Sequence, residues 1–267
     1  MYTSFLFLIL ILSLPVDQYK LIVEMKTYLF SNSNPIAFIQ RIRSHLACFI
    51  KKSVIYISKL NTNQVEITAP KKSLIKIRFK KSQQNRIIID ENFQGHLTLN
   101  FSGNNNHVYI GKNVSLDHSS INITQNNSQL IIEDNVTIGR ENKISLNDVA
   151  ASPIIKIGRD CMLSSNVSLR TFDSHPIYDL NDQLLNSGKG DLVLQPHCWI
   201  GQDTKILKGV TIGKGSVIGT GSIVTKSLPS HTIAAGIPAK IIKQGEFYWA
   251  REHNPLSQQQ GKALSFK

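Results

Sequence analysis

Between residues 194 and 226 the aliphatic positions recur every six residues. Leu194, Ile200, Ile206, Ile212, Ile218 and Val224 keep one phase, and glycine follows at 201, 213 and 219. Four places after each aliphatic residue comes a small or branched one: Cys198, Thr204, Val210, Ser216, Ser222. A period of six fits neither a helical heptad nor plain two-residue alternation. It fits a short strand and a tight corner, with every sixth side chain pointing inward and glycine or asparagine taking the turn. Three such sides close one coil of a triangular prism, and coils stack by parallel pairing at about 4.8 Å per layer. One repeat cannot bury its apolar residue alone, so the pattern predicts a capped solenoid. An ordinary β-sandwich is the competing reading, but its strands rarely hold a fixed six-residue phase.

The phase continues upstream with breaks. Ile157-Gly158, Leu163 and Leu169 form one block, Ile132, Ile138-Gly139 and Ile144 another, and Ile110-Gly111 with Leu116 a third. A one-residue slip between Ile144 and Ile157 predicts a small bulge. Between Leu169 and Leu194 the phase is lost. That stretch, 170–193, holds Phe172, Pro176 and Tyr178 and reads as a loop thrown out from the prism. Long excursions from a rigid scaffold commonly carry function. Short alternating runs at Val54-Ile57, Val65-Ile67, Leu74-Phe79, Ile87-Ile89 and Leu97-Phe101 predict degenerate first coils.

The expected organisation is therefore a lead-in over 1–53, degenerate basic coils over 54–104, the regular solenoid over 105–243 and a tail over 244–267. In the lead-in, Ile36, Ile39, Ile42, Leu46 and Ile50 have helical spacing. The apolar run Phe5 to Leu14 is too short to span a bilayer and lacks the basic start of a secretory signal. A weak signal and a membrane-associating stub are two readings of it. The favoured one starts the protein at Met25, which predicts that residues 1–24 add nothing to the fold. In the tail, Glu246 to Glu252 is expected to form a short helix, followed by a loosely held polar end.

Charge changes the picture in one place. The formal net charge is +12, and residues 41–86 hold twelve Lys or Arg against Glu66 alone. Such a segment concentrates anions. An acidic polysaccharide, a membrane surface and a plain solvated face are all compatible with it; nucleic acid is set aside because no nucleic-acid fold signature is present. Three widely spaced cysteines, Cys48, Cys161 and Cys198, suggest no disulfide framework and suit a reducing, cytoplasmic setting. The Asn-x-Ser/Thr matches at Asn113, Asn122, Asn135 and Asn166 read as corner asparagines rather than glycan sites.

The motifs DSHPIYD (173–179), WIG (199–201), ILKGVTIG (206–213), VIGTGSIVTK (217–226) and AAGIPAKII (234–242) occur in one order. With this spacing the chain resembles the hexapeptide-repeat acetyltransferases. It is most similar to the galactoside and maltose acetyltransferase branch and to O-acetyltransferases of bacterial surface polysaccharides. The resemblance is specific over about a third of the chain. It implies an all-β fold, a left-handed parallel β-helix, and transfer of acetyl from acetyl-CoA to a sugar hydroxyl. It also implies a homotrimer with each active site between two prisms.

In this family the loop histidine, here His175, is the general base. An unperturbed imidazole titrates at about 6.5, so it can take and return a proton at neutral pH. Asp173 or Asp179 could fix its tautomer. The family places an acceptor-contacting polar residue near Ser145 or Asn147, and Tyr178 lies in the matching loop motif. Trp199 corresponds to a ring that lines the acceptor and pantetheine site and should point outward. Gly201, Gly219 and Thr220 match the coenzyme-binding coils, although the family usually has alanine at Thr220. Lys226 and Lys240 match basic residues near the nucleotide phosphates, and Pro238 the loop beside the adenine. Cys198 occupies a small-residue repeat position rather than a nucleophile's.

Three other functions stay open at this point: N-acetylation of an amino sugar on the same scaffold, a non-catalytic binding solenoid, and a zinc carbonic anhydrase on a related prism. The last needs three converging histidines. His96, His107 and His118 lack the compact pairing expected, so no metal is anticipated. The basic segment points to an acidic capsular or surface glycan as acceptor, with peripheral membrane association as a second partner.

Overall fold

The computed structural model describes residues 10–13, 19–23, 46–50, 53–58, 60–147, 152–186 and 190–266. They form a three-sided parallel β-solenoid of about seven turns. The first face carries strands Gln64–Thr68, Arg86–Ile89, His107–Ile110, Gln129–Ile132, Ile154–Ile157, Leu192–Leu194 and Thr211–Ile212, each paired in parallel with the next. The second face includes Thr137–Ile138, Met162–Leu163, Trp199–Ile200 and Val217–Ile218. The third runs from Ser53–Ser58 through Lys71–Phe79, Gln94–Phe101, Ser115–Ile123, Lys143–Leu146 and Ser168–Arg170 to Lys205–Ile206 and Ile223–Val224. Pairing is continuous across residues 104 and 105, so the degenerate and regular coils are one body.

Alternation fills the prism. Leu194, Ile200, Ile206, Ile212, Ile218 and Val224 are all buried, as are the small residues at 198, 204, 210, 216 and 222. The corners differ from the sequence expectation. The glycines after each aliphatic residue do not take the turn. The left-handed conformation falls two residues later, at Asp203 (φ 58°), Gly215 (φ 68°) and Gly221 (φ 71°). Asp, Asn and His tolerate that region better than most residues. Gly201 is needed for stacking instead: a Cβ there would lie 2.6 Å from the Thr220 backbone nitrogen of the next coil.

The first coils are larger. His107 pairs with Gln129 at a step of 22 residues, whereas Trp199 pairs with Val217 at a step of 18. The extra space is filled by Phe79, Phe93 and Phe101, all buried, with the Phe79 and Phe101 rings stacked 5.1 Å apart. A buried amide ladder closes one corner. The Asn63 Oδ1 accepts from Asn85, Asn85 Oδ1 accepts from Asn106, and Asn106 Oδ1 accepts from the Ser128 N–H. Asn113, Asn135 and Asn166 are corner residues with positive φ. Asn122 is not: it lies within strand Ser115–Ile123.

Both ends are capped by non-solenoid chain, which covers strand edges that would otherwise template further pairing. Leu10–Ser13 pairs with Tyr19–Val23, which pairs antiparallel with Gln64–Thr68. Residues before Met25 therefore extend the first sheet, against the expectation that they add nothing. Leu46–Ile50 is a strand antiparallel to Ser53–Ser58, not a helix; the rest of the proposed helical stretch lies outside the described residues. At the other end, Thr232–Gly236 and Ala239–Gln244 form a hairpin off the second face. The helix of the tail is Pro255–Phe266, not 246–252. Asn254 caps it, its Oδ1 accepting from the Ser257 N–H at 2.8 Å, with proline at the first helical position.

Candidate active site

The chain leaves the prism after Arg170 and returns at Leu192, at the corner between the third and first faces. Small polar contacts hold this excursion in shape. Asp173 Oδ2 pairs with Lys208 Nζ at 2.9 Å and accepts from Asn186 Nδ2 at 3.0 Å. Lys208 also donates to the Asn186 carbonyl at 2.6 Å, and Asn186 donates to the His175 carbonyl at 2.9 Å. Asp179 Oδ1 accepts from the Asn181 and Gln183 N–H groups, turning the loop tip, where Tyr178 bridges to Leu184. Arg170 donates to Ser174 Oγ at 3.2 Å and lies 4.7 Å over the Phe172 ring.

The backbone around His175 is thus fixed, while its side chain is exposed. Among the described residues neither Asp173 nor Asp179 hydrogen-bonds the His175 ring. Asp173 is engaged by Lys208, whose hydrogen bond holds its carboxyl below the usual carboxylate range, with Asn186 adding to the effect. Asp179 serves the turn. Both carboxylates shape the loop.

The remaining expected residues fall into two groups. Ser145 stands beside Arg170 in register on the third face, next to the excursion. Trp199 points outward from the second face, 38% exposed, as expected from its place before an inward position. Gly201, Gly219 and Thr220 lie between second-face and third-face strands, beside the left-handed corner residues Asp203 and Gly221. Gly201 is buried under the next coil, whereas Thr220 is exposed. Lys226 is exposed just after the last third-face strand, and Pro238 and Lys240 are exposed in the terminal hairpin. Trp199 and the hairpin therefore belong to a different side of the prism from His175. Both places bear exposed apolar residues: Ile177 and Leu185 on the excursion, Ile237 and Ile242 on the hairpin.

Cys198 is fully buried, its thiol 3.2 Å from the Gly213 carbonyl, as befits a repeat position. Two arrangements escaped the sequence. His197, buried, has Nδ1 2.6 Å from Asp160 and stacks on Trp249 at 4.2 Å. Arg251 bonds Asp160, Thr137 Oγ1 and the Asn135 carbonyl. The tail is thereby clasped along the corner between the first and second faces by contacts 52 to 116 residues away in sequence. His96 and His118 also converge, contrary to expectation. Their ring nitrogens approach to 2.6 Å, with Asp117 against His118 and Arg140 on Asp117. The three possible ligand atoms of His96, Asp117 and His118 lie within 4.8 Å of one another. His107 is apart from them on the first face.

A family model described as bacterial transferase hexapeptide (six repeats) matches residues 191–226. A polysialic acid O-acetyltransferase of Escherichia coli O1:K1 / APEC is 40% identical over 118 residues, 43% of this chain; the chain spans 38% of the length of that curated relative. The solved structure of the polySia-specific acetyltransferase NeuO is similar with a TM-score of 0.59 and 36% identity, covering 68% of this chain and 81% of its own. That of the polysialic acid O-acetyltransferase OatWY gives a TM-score of 0.57 and 26% identity, covering 71% and 94%. The solenoid is of the left-handed parallel β-helix class. The chain belongs to the hexapeptide-repeat acetyltransferase family.

Proposed function

We propose that this protein is an acetyl-CoA-dependent O-acetyltransferase acting on a sugar hydroxyl of an acidic capsular or surface polysaccharide. The observation that carries the reading is the anchored excursion, which presents an exposed His175 at one corner of an otherwise regular prism. In the proposed reaction His175 takes the proton from the acceptor hydroxyl as its oxygen attacks the thioester carbonyl. The tetrahedral intermediate collapses, the carbon–sulfur bond breaks, and the proton passes from His175 to the departing thiolate. Acetyl ester and free CoA result, with no net proton change. Such positioned acid–base catalysis contributes about 10²–10⁴-fold.

Thr220, Lys226, Pro238, Lys240 and the backbone at Gly201 and Gly219 are the residues proposed to hold the coenzyme. The exposed lysines suit its phosphates. Trp199, Ser145 and Tyr178 are proposed to contact the acceptor or the pantetheine arm. Their separation on two sides of the prism supports a site shared between subunits of a homotrimer, with His175 of one subunit meeting the Trp199 side of the next. The exposed apolar residues of the excursion and hairpin would be covered there. The similarity to polysialic acid O-acetyltransferases and the basic segment at 41–86 support an acidic acceptor.

The test is thiol release from acetyl-CoA across sialic acid polymers, acidic capsular fragments, hexosamines and neutral sugars, with products read by mass spectrometry. Acceptor-dependent release giving a base-labile product is expected. A base-stable amide would replace the O-transfer reading with N-acetylation. Failure to bind CoA would remove the transferase reading. Among the described residues no helix is long and apolar enough to cross a membrane.

A further inference from the structure

We propose that His96, Asp117 and His118 form a binding site for a divalent transition metal of the zinc class, on the outside of the early coils. Backbone register, ligand spacing and local charge carry it.

Register brings the three side chains together. Leu116 pairs with Gly95 and Ser119 with Leu97, so Asp117 and His118 together oppose the single residue His96. Such a β-bulge re-aims side chains and recurs beside functional sites. Leu116 and Ser119 are both buried, while the side chains of Asp117 and His118 both stay outside. An unbroken strand would send consecutive side chains to opposite faces. His118 takes the left-handed conformation at φ 44°, which non-glycine residues seldom adopt.

The donors then meet at ligand spacing. The His96 and His118 rings stand edge to face, 87° between planes and 4.0 Å between centroids. His96 Nδ1 is 3.2 Å from His118 Nδ1 and 2.6 Å from His118 Nε2. Asp117 Oδ1 lies against His118 Nδ1. One ligand atom from each residue falls within 4.8 Å of the others. Tetrahedral zinc binds imidazole nitrogen at about 2.0–2.1 Å, which sets two such nitrogens about 3.3 Å apart. The two Nδ1 atoms already stand close to that separation. An entering ion replaces the proton held between His118 Nδ1 and the carboxylate. That proton leaves to solvent, and Asp117 swings aside to become the third ligand. The His118 side chain is 52% exposed, so water completes the fourth position.

Local charge selects the metal. Arg140 Nε donates to Asp117 Oδ2 at 2.9 Å, orienting the carboxylate from outside as outer-shell partners do. It also offsets the one carboxylate charge of the set. Calcium and magnesium want several oxygen ligands. Two neutral imidazoles and one offset carboxylate suit zinc, cobalt or nickel. The ion would bridge successive coils where the bulge interrupts their ladder. Along the same corner, backbone bonds step from His118 to Glu141, Arg140 to Asn166, Ser165 to Asp203 and Gln202 to Gly221. Those four layers, about 19 Å at about 4.8 Å each, separate the ion from the residues proposed to hold the coenzyme, and His175 lies at another corner. Its role is to fasten the coils.

The test uses the untagged full chain, stripped with EDTA and dialysed against zinc chloride. Retained zinc is counted by mass spectrometry, affinity is read by calorimetry, and cobalt(II) reports its ligands through visible d–d bands. One zinc per chain is expected, with cobalt competing for the same site. The thermal midpoint should rise with zinc concentration, as for any ligand that binds only the folded state. His96→Ala and His118→Ala should each lower zinc affinity by more than about 100-fold, the upper end of what losing an outer-shell partner costs, and abolish the midpoint shift. Asp117→Asn, which keeps the shape of the side chain, should weaken zinc with the metal-free midpoint retained. His107→Ala, on the first face, should bind as wild type does. A wild-type chain that retains no zinc would overturn the site, and that count needs no variant. Zinc held as tightly by His96→Ala and His118→Ala as by wild type would overturn it equally.

Discussion

The early coils and the late coils solve the same packing problem with different means. Around Phe79 and Phe101 a coil takes 22 residues, with aromatic filling, bulges at one corner and ladders of asparagine. From Leu192 onward a coil takes 18 residues, and isoleucine with small residues suffices. In both regions a glycine lies against the backbone of the next layer, Gly95 and Gly103 in the early coils and Gly201 in the late ones, and between the two regimes the chain leaves the prism altogether. Bulky aromatic packing is concentrated in the first region and the proposed chemistry around the second.

Substitutions can break this contrast. Phe101→Ala should cost about 3–5 kcal/mol, as large-to-small core changes do. Its thermal unfolding midpoint should drop while kcat on a short acceptor, measured below that midpoint, stays as in wild type. Asn85→Ala removes the acceptor for both the Asn106 N–H and its amide, buried groups whose desolvation costs about 1–3 kcal/mol. Gly201→Ala forces a Cβ into the next coil and should cost about 1–3 kcal/mol, and unlike Asn85→Ala it should also weaken CoA binding.

Asp173→Asn gives the smallest stability change, within about 0.5 kcal/mol for an exposed site, but loosens the excursion and lowers kcat/KM. Its pH dependence has a definite sign. The Asp173 carboxyl is lowered in the folded state by Lys208. The anchor is therefore fully present above the ordinary carboxylate range and is lost as pH falls through the lowered value. Hydrogen exchange of residues 171–186 should separate wild type from Asp173→Asn at neutral pH and converge in acid. Persistent separation in acid would contradict the ion pair as anchor.

How much of this the sequence disclosed follows the same division. Where each side is six residues, Leu194 to Val224 announce the prism directly, and the loss of phase marks the His175 loop. In the early coils, extra corner residues and bulges such as His118, with φ 44°, break the six-residue phase. A 22-residue recurrence was present instead, in Phe79 with Phe101 and Asn105 with Asn127, and would have aligned His96 with His118. The roles of Asp173 and Asp179 were not readable, because Lys208 lies a coil away from the loop it holds. The clasp by Trp249 and Arg251 was hidden for the same reason: its partners are distant in sequence and the intervening tail is polar. Gly201 was visible, but its reason, contact with the next coil, is a property of stacking.

The proposed chemistry rests on His175. Acceptor-dependent acetyl transfer by wild type and His175→Ala, with folding checked by unfolding midpoint and CoA binding measured in both, tests it directly. A loss of about 10²–10⁴-fold in kcat, with fold and CoA affinity retained, is the predicted result. Undiminished transfer by His175→Ala would contradict it and leave the excursion without its proposed chemistry.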